Sequence, residues 1–278
     1  MPTRIYIVSA FCKDGNGGNE AGVVLFEEGL DVGRKKAMAR ELGRSETVFV
    51  TRAERADFKL EYFTPTEEVP LCGHATIAAF ALMRRLGILD ESRPSFVTKA
   101  GALSIFFDGD TVFMEQVRPE YFETIKRPML AKCFDAADIS AKHPIQIVST
   151  GLRDILLPIE SAESLHAMTP RFDEIAELSR KYDAVGIHAF ALRDERILCR
   201  NFAPNCGIPE EAATGTANCA LAGYLRKHGI MKKNEYRMEQ GYSLGSPSEI
   251  TVRIEAECER ISRVFAGGKG RLIGETLL

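Results

Sequence analysis

A thiol, a bare glycine and an imidazole stand side by side at Cys72, Gly73 and His74, directly before a run of apolar residues. Residues 71–87 predict a helix that is apolar on nearly every side, and a helix of that kind is normally buried. The three residues then lie at its positive end, where unpaired backbone amides bind anions. Gly73 and His74 are therefore candidates for binding an anionic substrate.

Two chemical roles are open for Cys72 and two for His74. A thiol at a helix N-terminus has a lowered pKa and acts as a base or nucleophile, whereas most buried cysteines are inert. His74 either takes part in the chemistry or is a solvated residue that caps the helix. The residues alone leave these alternatives open.

A second copy of this stretch lies about half a chain further on, at residues 214–229. Gly73 and Gly87 are as far apart as Gly215 and Gly229, and each second glycine follows a basic run and precedes an isoleucine. Each copy is also preceded by a Phe-x-Pro motif, at residues 63–65 and 202–204. Several similar motifs recur in the same order and at nearly the same distance along the sequence. They indicate an internal duplication rather than a chance likeness of two helices.

Glutamates supply the candidate acid–base groups. Glu46 begins a predicted strand at residues 45–51, and Glu211 precedes the second apolar helix, whose start carries Gly215 and Thr216. The plainer alternatives are an exposed acid at a strand entry and a charge that favours a helix start. Two helix starts that face each other across a cleft between two lobes would bind a carboxylate. A glutamate in such an apolar cleft has a raised pKa and serves first as a base and then as an acid.

The order of the predicted elements indicates the fold class. Strands occur in runs, and each half of the chain adds one long apolar helix to them. Further helices are predicted from a cap at Asp31 to Leu42 and over residues 172–181, and residues 118–138 are predicted to cross between the halves. A barrel-like sheet curled around a central helix fits this order better than alternating βαβ units. The predicted fold is therefore α+β, with two pseudo-symmetric lobes at residues 1–117 and 118–263.

Composition argues against several classes of protein. A net charge of −3 gives no basic surface for nucleic acid, and no apolar run approaches the ~18 residues that span a membrane. Residues 1–5 enter a strand directly, without the pattern of a signal peptide. The cysteines form no Cys-x-x-Cys pair, so a cytoplasmic protein with reduced thiols and no metal is expected. The seven are Cys12, Cys72, Cys133, Cys199, Cys206, Cys219 and Cys258.

The sequence resembles the PhzF family, named for an isomerase of phenazine biosynthesis, within the diaminopimelate epimerase-like fold. The resemblance covers essentially the whole chain and rests on short motifs in the family order. They are Ser45-Glu46-Thr47, Leu71-Cys72-Gly73-His74-Ala75-Thr76, Phe202-Ala203-Pro204, residues 210–217 and Ala266-Gly267-Gly268. The resemblance implies the two-lobed fold, a homodimer, a C-terminal segment (residues 264–278) that returns to the first lobe, and activity without a cofactor or metal.

In the phenazine enzyme of this family, a glutamate moves a proton between carbons of a dihydro-hydroxyanthranilate ring. The resemblance makes Glu46 that general acid and base, with His74 and Glu211 binding and orienting a small carboxylate substrate, and Thr216 lining the same pocket. The chain departs from the family where Glu211-Ala212 replaces Asp-Pro, which lengthens the acid and loosens the loop, and where Thr216 replaces serine and narrows the pocket. Glu20 also stands where the family often has proline. These departures concern the substrate rather than the general site.

Two other functions are open within this fold. A racemase or epimerase with two opposed thiols needs one at each helix start; Cys72 supplies the first, but Thr214 holds the matching position, and Cys219 lies well inside the second helix. A non-catalytic protein that binds small anions is the other alternative, and Glu46 together with His74 weighs against it. A cofactor-independent isomerase of a small carboxylate is therefore the predicted function.

Overall fold

The computed structural model describes residues 2–89, 93–135, 138–257 and 260–278. Cys258 lies outside these ranges. The chain forms two compact units: the first unit comprises Met1–Glu115 and Gly267–Leu278, and the second unit comprises Gln116–Ala266.

The helices are α1 (Val32–Leu42), α2 (Gly73–Arg85), α3 (Ala162–Ala167), α4 (Phe172–Lys181) and α5 (Gly215–Lys227). The strands of the first half are β1 (Arg4–Ala10), β2 (Asn19–Leu25), β3 (Glu46–Arg52), β4 (Phe58–Phe63), β5 (Glu68–Val69), β6 (Ser95–Thr98), β7 (Gly101–Asp108) and β8 (Thr111–Gln116). They continue as β9 (Glu120–Ile125), β10 (Phe134–Asp135), β11 (Ile145–Ser149), β12 (Arg153–Pro158), β13 (Thr169–Pro170), β14 (Gly186–Arg193), β15 (Arg196–Ala203), β16 (Ile208–Glu211), β17 (Glu235–Gln240), β18 (Ser248–Glu257), β19 (Arg260–Gly268) and β20 (Gly270–Leu277).

The sheet of the first unit curls around α2. Its strands pair in the order β20, β1, β2, β3, β4, β6, β7, β8, and β5 adds to β4. The β2–β3 and β4–β6 pairs are parallel, because α1 and α2 are the crossover connections between them. Ile77, Phe80 and Leu82 of α2 are fully buried, as its apolar circumference predicts.

The second unit repeats this construction step by step. Its strands pair in the order β9, β11, β12, β14, β15, β17, β18, and β16 adds to β15. In both units the third and the fifth pairs of this order are parallel; here they are β12–β14 and β15–β17, and α5 is the crossover connection of the latter. The predicted duplication is therefore confirmed in the topology.

The repeat extends to the register of the strands. The parallel ladder of the first unit begins with Ala21 opposite Glu46, and that of the second unit begins with Asp154 opposite Gly186. Further along, the antiparallel partners begin with Thr47 opposite Phe63 and with Ile187 opposite Phe202. Residues of the two units can therefore be compared position by position.

The predicted helices are confirmed, and one predicted connection is wrong in part. Asp31 caps α1 by accepting a hydrogen bond from the amide of Arg34, and Gly43 ends that helix in a left-handed conformation with φ 66°. Residues 118–138, predicted as the crossing between the halves, contain β9, which pairs with β11. Most side chains of β9 are exposed or half-buried, so its sequence lacks the apolar alternation that indicates a strand.

No helix in the described part of the chain is both long and apolar enough to span a lipid bilayer.

Candidate active site

Glu46 is mostly buried at the start of β3. Its side chain is 13% exposed, so the alternative of an exposed acid at a strand entry is wrong. β3 lies between β2 and β4, and Thr47 and Val48, which follow Glu46, are completely buried. The first residue of a central strand is thereby fixed in position, with its carboxylate beside the first turn of α2.

Cys72 and His74 belong to the opening turn of α2. Cys72 is the N-cap residue and has an extended backbone, but its side chain makes no capping hydrogen bond. The turn is closed instead by Thr76, whose amide and hydroxyl both donate to the carbonyl of Cys72, at 3.0 and 2.7 Å. A Cβ built on Gly73 would meet nothing within 4 Å, so there is open space above this helix start.

Three of the predicted residues form one cluster in the first unit. Nε2 of His74 lies 3.1 Å from Oε2 of Glu46, and the histidine side chain is only 6% exposed. Oγ of Ser45 lies 3.3 Å from the same ring nitrogen, and Sγ of Cys72 lies 3.5 Å from Nδ1. With His74 protonated, the Glu46–His74 contact is an ion pair, and Oε2 of Glu46 has no well-directed hydrogen-bond partner among the described residues.

The electrostatics of the pair differ from the sequence expectation. Burial raises the pKa of Glu46, but the adjacent His74 outweighs burial, so the net pKa is lowered below the usual 4.5. Burial lowers the pKa of His74, but its contact with Cys72 and the carboxylate of Glu46 outweigh burial and raise that pKa well above 6.5. The predicted raised pKa of Glu46 is therefore wrong for the free protein, because a cationic partner balances the loss of solvent.

Cys72 is protonated at neutral pH. Burial raises the pKa of its thiol, and the charge of Glu46 adds to that effect against the influence of His74. The negative charge that His74 faces is consequently that of Glu46. The reactive thiolate considered for this helix start is therefore not favoured.

A metal ion is geometrically possible at this cluster. The donor atoms of Glu46, Cys72 and His74 all lie within 4.8 Å of one another, and carboxylate, thiolate and imidazole are ligands that zinc accepts. A metal would have to displace the proton of Cys72 and separate the Glu46–His74 ion pair. A site without metal or cofactor stays a prediction.

In the second unit, Glu211, Gly215 and Thr216 lie around the start of α5. Thr214 is the N-cap residue there, as Cys72 is in α2, so the second helix start carries no thiol. Oγ1 of Thr214 donates to Oε2 of Glu211 at 2.7 Å, which turns the longer acid back toward the helix start. Thr216 is held through its carbonyl, which accepts a hydrogen bond from Thr150 at 2.8 Å.

The loop before α5 is tied down by hydrogen bonds, although it lacks the proline of the family. Nε2 of Gln240 donates to the carbonyl of Glu211 at 2.7 Å and to Oγ1 of Thr214 at 3.1 Å. Gly241 has φ 83°, and a Cβ there would lie 2.8 Å from the carbonyl oxygen of Ala212. The backbone of Gly241 therefore packs closely against this loop and supports it at the point where the family usually has a proline.

The neighbouring acids Glu210 and Glu211 have different surroundings. Glu210 forms two hydrogen bonds of 2.9 Å with the guanidinium of Arg200, and these side chains are 8% and 7% exposed. Arg200 also donates to the carbonyls of Leu165 and Met168. Glu210 is thus part of a buried structural network, whereas Glu211 stands at the helix start.

Sequence reasoning missed Ser45 as a neighbour of His74, and it missed Asp154, His188 and Asn201 in the second unit. All three of the latter are almost completely buried polar residues. Polar residues inside apolar strands are the sequence signal that could have found them.

A cavity of about 800 Å³ lies in the second unit at the C-terminal end of α5, away from Gly215. It contains none of the predicted site residues. Cations there complement the negative end of the helix dipole. They are Arg118, Arg226, Lys227, Lys232 and Arg260.

Comparison with known proteins identifies the family. The sequence model of PhzC-PhzF, described as phenazine biosynthesis-like protein, matches residues 8–275. The chain belongs to the PhzF family. An uncharacterized isomerase of Clostridium acetobutylicum is similar to it, with 33% identity across 97% of this chain and 96% of its own. The trans-2,3-dihydro-3-hydroxyanthranilate isomerase of Pseudomonas aeruginosa has 29% identity across 98% of both chains.

A solved PhzF structure has the same fold. The phenazine biosynthesis protein of the PhzF family from Bacillus anthracis superimposes with a TM-score of 0.90 at 25% identity, covering 100% of this chain and 99% of its own. The predicted family, the isomerase class and the α+β fold of this PhzF protein are therefore confirmed.

Proposed function

We propose that this PhzF-family isomerase moves a proton between two carbons of a small carboxylate substrate, with Glu46 as general acid and base. The observation that carries the proposal is the buried Glu46 carboxylate, held 3.1 Å from Nε2 of His74 at the open start of α2. One carboxylate placed beside unpaired amides supplies both a proton acceptor and a binding site for an anionic group.

The reaction needs no partner beyond the substrate. Ionised Glu46 accepts a proton from a carbon, and the electron pair of the broken C–H bond enters the neighbouring π system. The carboxylic acid of Glu46 then returns the proton to a second carbon. Substrate and product contain the same atoms and electrons, so no oxidant or reductant is required.

The low pKa of Glu46 suits the first half of this reaction. His74 keeps the carboxylate ionised in the free protein, which leaves it ready to accept a proton. An anionic substrate group near the pair would disfavour the charge of Glu46 and raise its pKa, making proton transfer from carbon less costly. We assign His74 to orienting Glu46 and to balancing negative charge, with Gly73 providing backbone amides.

In the second unit, we propose that the start of α5 binds an anionic group and does not take a proton from carbon. Gly215 and Thr216 begin α5 and offer backbone amides, and Glu211 is directed by its hydrogen bond from Thr214. Position 186, which matches Glu46 in the repeat, is a glycine. The proton acceptor of this proposal therefore has no counterpart at that position of the second unit.

The alternative of two opposed thiols is less well supported. Cys72 has a raised pKa, Thr214 occupies the matching N-cap position, and Cys219 is completely buried inside α5. A protein without catalytic activity would not need the buried Glu46–His74 ion pair, whose desolvation is costly.

Solvent deuterium exchange tests the proposal. Wild type and Glu46→Gln are incubated in heavy water with a panel of small cyclic and amino-acid carboxylates, beginning with trans-2,3-dihydro-3-hydroxyanthranilate, and analysed by NMR and mass spectrometry. We expect exchange or isomerisation at a substrate carbon in the wild type and its loss by at least a hundredfold in Glu46→Gln.

Glu61→Gln is the matched control. Glu61 is also a mostly buried glutamate of the first unit with a cationic partner, Lys35, at 2.7 Å. Loss of activity in both variants would indicate damage to the unit, whereas full activity in Glu46→Gln would contradict the assigned role.

A further inference from the structure

Two completely buried side-chain amides lie behind the start of α5. Asn218 belongs to the first turn of α5, and Gln240 is the last residue of β17. An amide group has two hydrogens to donate and an oxygen that accepts, and its burial is costly unless these atoms are bonded. The partners of the two amides therefore indicate what the side chains do.

All four amide hydrogens have acceptors. Nε2 of Gln240 donates to the carbonyl of Glu211 at 2.7 Å and to Oγ1 of Thr214 at 3.1 Å. Nδ2 of Asn218 donates to the carbonyl of Thr214 at 2.8 Å and to Oε1 of Gln240 at 3.0 Å. Because main-chain carbonyls only accept, these partners decide which end of each amide is the nitrogen.

This arrangement fixes the direction of the Thr214 hydroxyl. Oγ1 of Thr214 accepts a hydrogen from Gln240, so its own single hydrogen is left for another acceptor. Oε2 of Glu211 lies 2.7 Å from this oxygen and receives that hydrogen. Gln240 therefore holds Glu211 twice, directly through the main-chain carbonyl and indirectly through the Thr214 hydroxyl.

The first unit shows that the fold does not need an amide at position 240. Phe63 and Phe202 match through their pairing with β3 and β14, and the parallel ladders then match Gln240 with Thr98. The hydroxyl of Thr98 donates to the carbonyl of Gly101 at 3.3 Å, within its own turn. The reach from the end of β17 to the loop before α5 is therefore particular to the second unit.

Asn218 combines a shared contact with one that is particular to the second unit. It matches Thr76 of α2, whose hydroxyl donates to the carbonyl of the N-cap residue Cys72 as Asn218 donates to that of Thr214. That bond closes the first turn in both helices. The second bond of Asn218, to Gln240, is not needed for the turn and instead orients the glutamine amide.

The anchor of this bridge is rigid. Gln240 pairs with Ser248 at the end of the β17–β18 ladder, and Ser248 is also completely buried. A side chain that projects from a paired strand holds its partner more precisely than one on a loop. Glu211, at the end of the short strand β16, thus receives support from a second strand.

We propose that Gln240 and Asn218 are positioning residues of the candidate active site. Asn218 orients the amide of Gln240, and Gln240 fixes the Thr214 hydroxyl as the donor to Glu211. The carboxylate is thereby held in one orientation before a substrate binds, so that less conformational freedom is lost on binding. The direction of the hydrogen bonds stands independently of the proposed function, whereas their effect on substrate binding rests on that function.

Neutron diffraction of the perdeuterated protein without ligand tests the direction of the hydrogen bonds. Deuterium should lie on Oγ1 of Thr214, directed at Oε2 of Glu211, and both deuterons on Nε2 of Gln240 should point to their acceptors. Deuterium on Oε2 of Glu211, directed at Thr214, would overturn the proposal.

The crystal structure of Gln240→Met tests whether the glutamine positions the acid. Methionine has a similar length but no group that donates a hydrogen bond. The carboxylate of Glu211 should then occupy more than one conformation. A single conformation with the 2.7 Å contact to Thr214 unchanged would overturn the role of Gln240.

A cycle of variants tests the effect on activity once the exchange assay has supplied a substrate. Thr214→Val removes the hydroxyl with little change of shape and should lower kcat/KM at least about tenfold, chiefly through KM, as expected for a hydrogen bond to a charged group. Thr214→Ser keeps the hydroxyl and should remain well above the valine variant. Gln240→Met should lower kcat/KM at least about fivefold alone but less than about twofold in the Thr214→Val background. An equal loss in both backgrounds would show that Gln240 does not act through Thr214.

Asn218→Thr tests the remaining residue with the side chain of the first unit. Threonine keeps the bond to the carbonyl of Thr214 and loses the bond to Gln240. It should lower kcat/KM in the wild type but not in Gln240→Met. Further loss in Gln240→Met would show that Asn218 acts by another route.

Gln146→Met is the matched control. Gln146 is another buried glutamine of the second unit, and it bonds to the carbonyl of Phe122 and to His228 at the other end of α5. We expect urea unfolding to show a loss of stability like that of Gln240→Met, with kcat/KM within about twofold of the wild type. An equal loss of kcat/KM in both variants would contradict a positioning role. If Gln240→Met does not fold, Thr214→Val and Asn218→Thr decide the question, and failure to find any substrate would count against the proposed function without affecting the neutron result.

Discussion

Nε2 of His74 lies 3.1 Å from Oε2 of Glu46, and the two side chains are withdrawn from solvent at the junction of a strand start and a helix start. The lowered pKa of Glu46 contributes stability that is present above its unfolded pKa of about 4.5 and is lost as pH falls through the folded value. The raised pKa of His74 contributes stability that is present below about 6.5 and is lost as pH rises through the folded value. The pair therefore stabilises the first unit most at mildly acidic to neutral pH.

Replacing His74 should shift the acidic limb of the pH–activity profile to higher pH. In His74→Gln the cation is gone, burial becomes the main influence on Glu46, and its pKa rises. We expect the pH at which exchange activity falls to half to increase by at least one unit, as measured by the pH profile of kcat/KM in the deuterium assay. Lys35→Met, which removes the cation from the other buried pair, should leave the acid limb in place. An unchanged limb in His74→Gln would show that the ion pair does not control Glu46.

Cys72→Ser should retain most of the activity, because its thiol is protonated and lies outside the proposed proton path. The same burial should protect Cys72 from Ellman's reagent in the native protein, whereas exposed Cys206 should react first. Cys206→Ser identifies that signal. An inactive Cys72→Ser that remains folded would restore thiol chemistry as the mechanism.

Replacing Glu210 should mainly affect stability, whereas replacing Glu211 should mainly affect activity. Glu210→Gln breaks the buried contact with Arg200 and should lower the free energy of unfolding by roughly 3 kcal/mol, with activity per folded molecule retained. Glu211→Gln should change stability by less than about 1 kcal/mol and reduce kcat/KM at least tenfold. Urea unfolding and the exchange assay measure both quantities. Equal stability losses in the two variants would contradict this division.

Asp154→Asn should alter the dependence of stability on pH. The raised pKa of Asp154, about 7, means that its favourable contribution is complete below an unfolded value of about 3.8 and is lost as pH rises to about 7. Relative to that of Asp154→Asn, the free energy of unfolding of the wild type should fall by on the order of 2 to 4 kcal/mol across that range. Urea unfolding at several pH values measures the difference, and parallel curves would show that Asp154 is ionised in the folded protein.

Zinc should inhibit the exchange reaction, whereas a chelator alone should leave its rate unchanged. The donor atoms of Glu46, Cys72 and His74 are close enough to bind one zinc ion, which would occupy the proposed base. We expect micromolar zinc to abolish exchange, EDTA to restore it, and EDTA alone to leave the untreated enzyme unchanged. Cys72→Ser should be less sensitive to zinc. Inactivation by EDTA alone would show that the reaction needs a metal.

The sequence predicts the elements of this protein better than its electrostatics. The starts of α2 and α5 and their glycine stops follow from apolar runs bounded by Gly87 and Gly229, both of which have positive φ. Local signals of this kind need no knowledge of distant residues. β9 escaped prediction because its pairing depends on β11 rather than on its own side chains.

The state of Glu46 could not be predicted, because it depends on a histidine from a different element. Apolar neighbours alone indicate a raised pKa, but the ion pair with His74 reverses the direction. Asp154 was missed for a related reason. Its place on one face of the sheet with His188, Asn201 and Glu211 follows from the register of four strands, which no single segment of sequence specifies.

The two hydrogen bonds between Arg200 and Glu210 have a consequence for the alignment of β16 with β15. β16 is short, and its pairing with β15 shifts register between Asn201 and Ala203. A slip of one residue would exchange the faces of Glu210 and Glu211, placing the wrong acid beneath α5. Because the guanidinium of Arg200 donates two hydrogen bonds to Glu210, it favours the alignment that leaves Glu211 at the start of α5. The Arg200–Glu210 ion pair and the hydrogen bond from Gln240 to the carbonyl of Glu211 thus hold this alignment together.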